Sequence, residues 1–369
     1  MRRTAIALGA FALAAPLAAC GVVDGIGGGD GSSAGPKKGD DITVGLLLPE
    51  KENSRYEKFD HPIIKKKVAE LTHDKGRVEY ANAEQDAARQ KSQLEQMVAD
   101  KVDVVLLDAV DSKSIASAVQ KAKDAGIPVI AYDRLAQGPI DAYISFDNEL
   151  VGEVQGRALV ETLGSGAATS KIVMMNGSVT DPNAAQFKAG ALSELQGKVV
   201  IAKKYDVTDW KPENAKIRMQ EAITAVGLDN IAGVYSANDG MAGAVIEALK
   251  ETGAGKLPPV TGQDAELAAV QRIVSGDQFM SVYKSYPQEA SAAAQMAVAK
   301  VQGRSIEFDA LTRDTVDSPT TKKVPAQLVP VVALTKKNIR ETVVEEGFYT
   351  VKQICTPKLK ADCSAVGLN

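Results

Sequence analysis

Beyond residue 40 the chain alternates short apolar, β-branched runs with longer segments whose apolar residues recur every three or four positions. The short runs fit strands buried on both faces, and the longer segments fit amphipathic helices. Strands are predicted at 42–48, 77–81, 102–107, 127–132 and 142–146, with helices at 55–71, 84–99 and 112–125 between them. A second series puts strands at 171–175, 199–205, 231–236, 259–261 and 279–283. Helices at 150–163, 183–194, 212–226, 241–251, 267–274 and 287–301 fill its gaps. This alternation predicts an α/β protein of parallel sheets covered by helices on both faces.

Two stretches of the pattern echo each other. Val104 to Asp133 reads strand, Asp111, Ala-rich helix, Gly126, strand, Asp133. Ala232 to Asp264 reads strand, Asp239, Ala-rich helix, Gly253, strand, Asp264. Two similar halves with a cleft between them are the simplest reading, although any two βαβ units share such a pattern.

In open α/β sheets ligands bind beyond the carboxyl ends of the strands, so the residues there carry the functional argument. The run 127–132 stops at Asp133-Arg134. Later strands lead into Asn176 to Asn183, including Asp181, then into Asp209-Trp210, Asn238-Asp239 and Gln263-Asp264, and the last runs into Lys284. The loop after Leu48 leads to Arg55-Tyr56. An Asp or Asn after a strand often caps the next helix, and for Asp111, Asp147 and Asp239 capping stands at least level with ligand contact. Asp133, Asp264, Asn183 and Asn238 are read as ligand groups. The single tryptophan, Trp210, lies in a polar loop before Pro212 and is read as a cleft residue. Acids, amides and guanidinium groups match neighbouring hydroxyls, and an aromatic plane covers a C–H face. A sugar ring presents both.

Composition adds the setting. Met1-Arg2-Arg3 and the apolar run 4–19 form an export signal too short for a permanent membrane span, and Leu17-Ala18-Ala19-Cys20-Gly21 looks like a bacterial lipobox. Residues 1–19 are then a signal peptide, and 20–40 a lipid anchor on Cys20 with a tether. The tether carries eight glycines in residues 21–40 and would span roughly 25 Å as a flexible coil. An acylated Cys20 would hold the folded part at the membrane. The formal net charge of -4, with interspersed signs, gives nucleic acid no basic face. Cys355 and Cys363 lie in a polar tail, where export favours a local disulfide without catalytic role. His61 and His73 are the only histidines, no P-loop occurs, and the glycines of 25–31 lack dinucleotide spacing. No enzyme activity, cofactor or metal site is expected.

Ala131-Tyr132-Asp133-Arg134, the run Tyr143 to Glu149, the run Trp210 to Ala215, Asn238-Asp239, Gly262-Gln263-Asp264-Ala265 and Val282-Tyr283-Lys284 together carry a resemblance over about 42–347. The chain resembles the periplasmic-type sugar-binding proteins of ABC importers, most closely the D-xylose-binding proteins. The resemblance implies a type I periplasmic binding protein: two Rossmann-like, doubly wound parallel-sheet domains joined by a three-strand hinge. It assigns 41–147 plus about 265–305 to the N-terminal domain, 148–264 plus about 312–346 to the C-terminal domain, and leaves 347–369 as a tail. Crossings are implied near Asp147, Asp264 and 304–314. The implied ligand residues are Arg55, Tyr56, Asp133, Arg134 and Lys284 on one side. Asp181, Asn183, Trp210 and Asn238 face them, with Asp264 at a crossing. Tyr56 stands where xylose binders carry tryptophan, and Pro182 where they carry asparagine. The implied partners are a monosaccharide, D-xylose first, and the membrane subunits of an ABC importer. A monomer anchored on the outer face of the bacterial cytoplasmic membrane is expected. Glucose, galactose, arabinose or ribose as ligand, or a sensor presenting sugar to a membrane receptor, are the alternatives. A sugar-responsive repressor would need a DNA-binding helix pair where this chain has its signal and tether.

Overall fold

The computed structural model describes residues 38–253 and 255–369. The expected signal peptide, the expected lipidation site Cys20 and nearly all of the expected tether lie outside the described residues. The first series folds as β1 (Thr43–Leu48), a π-helical turn Tyr56–Asp60, α1 (His61–Leu71), β2 (Arg77–Asn82), α2 (Ala87–Ala99), β3 (Val104–Leu107), α3 (Ala116–Asp124), β4 (Val129–Tyr132) and β5 (Ala142–Phe146). The second contains α4 (Asn148–Leu163), β6 (Lys171–Asn176), α5 (Pro182–Leu195), β7 (Val200–Asp206), α6 (Pro212–Val226), β8 (Ile231–Ser236), α7 (Asp239–Glu251), α8 (Leu267–Ser275), β9 (Ser281–Lys284) and α9 (Tyr286–Gln302). Then come α10 (Ser305–Leu311), β10 (Asp314–Val316), β11 (Val324–Val329), β12 (Val331–Leu334), α11 (Val351–Ile354) and α12 (Lys360–Ala365).

The first sheet runs β10-β11-β5-β4-β3-β1-β2, parallel except at β10–β11. It is buried on both faces because strand residues alternate sides. Leu46 and Leu48 enter the core shared with α1 and α9, while Leu47 enters the opposite core with α2 and α3. Each such leucine contributes about 1.5–3 kcal/mol by leaving water. The second sheet is β7-β6-β8, extended through a bridge from Val234 to Val260. Phe279 N–H then donates to the Val260 carbonyl at 3.0 Å, and β9 pairs with β12. The predicted strand 259–261 is reduced to that bridge. On this lobe α4 and α5 pack backbone to backbone, since a Cβ at Gly152 or Gly190 would overlap the facing main chain.

Strand pairing corrects the expected partition. Phe146 pairs with Val329 in the first sheet, and Lys284 with Val331 in the separate two-stranded β12-β9 pair of the second lobe, so the chain crosses between lobes at Asp147, Ser285 and Pro330. Residues 265–284, expected with the first half, lie in the second lobe. Residues 312–329, expected with the second, supply β10 and β11 of the first. Asp264 and 304–314 are not crossings: Asp264 N–H still donates to the Val282 carbonyl at 2.9 Å, within the second lobe. The physical reason is that β9 and β11 find their hydrogen-bond partners far along the chain, which no local pattern encodes. The tail is folded too. Cys355 and Cys363 are disulfide-bonded, and Ile354, Cys363 and Leu368 are buried with Phe146, Tyr283, Tyr286 and Val329 at the crossings.

Candidate functional site

The sequence echo is visible in the backbone. Gly126 and Gly253 close their helices at φ 76° and 77°, and Asp133 and Asp264 both adopt left-handed φ, 57° and 97°. Each aspartate donates its N–H to the neighbouring strand and accepts at its carbonyl from a tyrosine hydroxyl, Tyr143 for Asp133 (2.9 Å) and Tyr286 for Asp264 (3.1 Å). Left-handed φ costs a non-glycine residue ~1–3 kcal/mol and persists where surroundings enforce it. Here it turns both carboxylates into one cleft.

The wall of the first lobe is an ion-pair network. Arg55, at the start of the π-helical turn, is nearly fully buried; its guanidinium pairs with Asp60 (2.8 Å), Glu289 (2.6 Å) and Asp133. Burial alone would favour loss of its proton, but the three carboxylates hold it charged. Tyr286 lies under the guanidinium at 4.2 Å. Asp133 is pushed up by burial and pulled down more strongly by Arg55, Lys284 and Arg134, so it stays ionised below the usual carboxylate range. Arg134 donates to the Ala109 carbonyl (3.1 Å), lies 3.4 Å from the buried Asp108, and reaches across the cleft to Asp181 at 2.9 Å.

The wall of the second lobe is built from helix starts and aromatic rings. Asp181 caps α5 by accepting from Asn183 N–H (2.9 Å) and also accepts from the Trp210 indole N–H (3.1 Å). Pro182 occupies the first helical position, which suits its missing N–H, and does not line the cavity. Asn183 donates to Asp133 Oδ1 at 2.7 Å, and Asn238 caps α7. Asp209 and Trp210 are both left-handed, which lays the indole against Gly177, where any Cβ would strike the ring. Phe187 meets Trp210 edge-on at 6.2 Å. Lys284, expected from the first lobe, comes from the second and pairs with Asp264 at 2.7 Å.

The lobes are closed on each other. Besides Arg134–Asp181 and Asn183–Asp133, Asn53 donates to Asp264 (3.3 Å), Gln85 to the Asp209 carbonyl (3.3 Å) and Ser112 N–H to the Thr180 carbonyl (3.4 Å). They bound a cavity of about 220 Å³. Arg55, Tyr56, Asp133, Arg134, Asp181, Asn183, Trp210, Asn238, Asp264 and Lys284 all line it. Asp147 does not: it caps α4 through Leu150 N–H at the first crossing. Asp111 accepts from Lys113 and Ser114 N–H in the turn before α3. The buried Asp239 ties Ser281, Gln278 and the main chain of Glu266 together, so it too is structural.

Sequence reasoning missed Glu50, Asn53, Gln85, Phe187, Gln263 and Glu266, which also line the cavity. Glu50 and Gln263 follow strands and obey the same strand-end rule; Phe187 lies one helical turn beyond Asn183. Burial pushes the Glu50 carboxyl up to about 7. Burial and the nearby Asp239 and Asp264 carboxylates push Glu266 to about 8. Among the described residues, no group of His, Cys, Asp and Glu could hold a metal ion, and no helix is long and apolar enough to cross a membrane. Asn183 Oδ1 and Gln263 Oε1 are buried without a donor. The cavity is thus rich in acceptors, with three cations and an aromatic face.

Comparison with known proteins places this geometry. Residues 44–305 match the periplasmic binding protein domain family. A D-xylose-binding periplasmic protein of Haemophilus influenzae is 36% identical over 320 residues, covering 85% of this chain and 92% of the relative. The multiple sugar-binding periplasmic receptor ChvE of Rhizobium radiobacter is 34% identical, covering 85% and 92%. Among solved structures, an ABC transporter solute-binding protein from Clostridium phytofermentans with bound β-D-glucose superimposes with a TM-score of 0.77 at 29% identity, over 85% of this chain and 99% of that one. Two lobes, three crossings and a polar cleft closed at the strand ends agree with these matches, and the chain belongs to the periplasmic binding protein family, alongside its D-xylose-binding members.

Proposed function

We propose that the protein captures one monosaccharide, D-xylose before others, by closing its lobes, and delivers it to the membrane subunits of an ABC importer. The observation that carries this is the closed cavity itself: Asp133, Asp181, Asp264, Asn183 and Asn238 offer acceptors and amides, Arg55, Arg134 and Lys284 offer donors, and Trp210 offers a plane. Ligand shifts the open and closed populations by its differential affinity, and only the closed form presents both walls. Charge-assisted hydrogen bonds are worth ~1.5–3 kcal/mol each, and an unmatched buried polar group costs ~1–3 kcal/mol, which separates one epimer from another. Cys20 carries the lipid in this reading, on a monomer tethered outside the cytoplasmic membrane; Cys20→Ala would release it to the soluble fraction.

A broader aldose range is the second reading. Tyr56 in place of tryptophan, the glucose found in the Clostridium relative and the multiple-sugar receptor ChvE favour it. Trp210 is the only tryptophan, so its fluorescence reports on the cleft. Titration with D-xylose should change it, with D-glucose, D-galactose, L-arabinose and D-ribose weaker or silent. Equal responses to pentoses and hexoses would select the broader reading; no response and no shift in melting temperature with any of them would overturn sugar binding. Chemical conversion of the sugar by purified protein would overturn a pure binding role.

A further inference from the structure

Packed at the crossings lies an aromatic cluster whose rings do not line the cavity and which the sugar-binding reading does not use. Phe348, in the second lobe just before the C-terminal segment, stacks on Phe59 of the first lobe with ring centroids 4.5 Å apart and planes 5° from parallel. Phe59 belongs to the π-helical turn that follows Arg55. Phe348 also packs on Tyr283 (5.1 Å) and Tyr286 (5.5 Å), which flank the crossing at Ser285. Tyr286 is the link to the ligand side. Its ring lies under the Arg55 guanidinium, and its hydroxyl donates to the Asp264 carbonyl. One ring therefore touches a cavity-lining residue from each lobe and is itself backed by Phe348.

Phe348 is held in turn by the end of the chain. Tyr349 N–H donates to the Val343 carbonyl (2.9 Å), its ring faces Lys58 of the first lobe, and Gln271 of α8 donates to the Gln353 carbonyl (2.9 Å). The Cys355–Cys363 disulfide closes the segment that follows, and both Cys363 and Leu368 are buried in the same cluster.

We propose that Phe348 is a positioning residue for sugar capture: through Tyr286 it sets Arg55 and Asp264, and the disulfide-closed C-terminal segment keeps it in place. This rests on the sugar-binding reading. A well-placed aromatic pair contributes beyond its buried area and has a preferred geometry, so the Phe59–Phe348 stack favours the closed arrangement in which the two lobes meet. Tightly packed interiors transmit the loss of such a ring to its neighbours.

The test uses the full chain, with Trp210 fluorescence titrated by D-xylose and D-glucose well below the melting temperature. Phe348→Ala should weaken binding about tenfold, mainly through faster sugar release, since that is the cost of losing closed-state stabilisation of this size. Phe348→Tyr, which keeps the stack, should bind as wild type does. A Cys355→Ser/Cys363→Ser variant should show a smaller loss, of about threefold. A Phe348→Ala protein that melts earlier yet binds within twofold of wild type would make Phe348 structural only and overturn the proposal. If Phe348→Ala does not fold, Phe348→Leu decides by the same criterion. Absence of any sugar response in wild type would instead overturn the sugar reading and this inference with it.

Discussion

The two walls of the cleft reach the same cavity by different means. On the first lobe, Arg55 is fixed by Asp60, Glu289 and Asp133, all within that lobe and all buried, so this wall is assembled before any ligand arrives. On the second, Asp181 and Asn238 are oriented as helix caps and Trp210 by a left-handed turn. Asp181 and Asn183 gain Arg134 and Asp133 only across the gap. The first wall is a preformed charge lattice; the second completes it on closing. Substitutions on the first should therefore damage fold and binding together, and those on the second should damage binding alone.

Arg55→Ala should have the largest effect. It leaves three buried carboxylates facing one another, so it should cost ~3–5 kcal/mol of stability, read by denaturant unfolding, and abolish sugar binding. Asp181→Asn comes next. Asparagine caps a helix as well as aspartate does, so the melting temperature should hardly move, while loss of the charged partner of Arg134 should weaken binding by roughly 1.5–3 kcal/mol in calorimetry. A large loss of stability in Asp181→Asn would break the contrast between the walls.

A smaller effect is expected from pH. Glu50 on the first lobe and Glu266 on the second share the cavity, with carboxyls raised from an ordinary 4.5 to about 7 and about 8. Burial disfavours their charged forms in the closed state, whereas opening returns them to water. Closure therefore takes up protons. Affinity should be greatest at mildly acidic pH, fall as pH rises from about 4.5 through 7 to 8, and level off above that. Isothermal titrations at several pH values would show it, and Glu50→Gln with Glu266→Gln should flatten the profile. The smallest effect belongs to Asp111, whose carboxylate serves only the turn before α3. Asp111→Ala should cost about 1 kcal/mol of stability and leave sugar affinity unchanged.

Much of the site was legible because its signals are local. A buried parallel strand reads as an apolar run, so its polar end marks a sheet edge, and the paired endings at Asp133 and Asp264 reappear as matched left-handed turns. Asn183, Asn238 and Trp210 stood out for the same reason, by following strands. Asp60 and Glu289 did not, because each lies inside a helical pattern where an acid reads as a solvated face. The π-helical turn brings Asp60 to Arg55 five residues earlier, and the packing of α9 against that turn and α1 brings Glu289 to it.

The chain's own pattern thus settles the alternation of strands and helices, the edge at which polar groups collect and the chemistry they offer, since each depends on neighbours within a few residues. Which strands share a sheet is decided by partners that can be more than a hundred positions apart. Hence the lobe that owns Lys284, the crossings at Ser285 and Pro330, and the folding of the tail behind the hinge emerge only with the tertiary structure. Hydrogen bonding between β9 and β12, and between β11 and β5, carries that information, and it is written in no single segment.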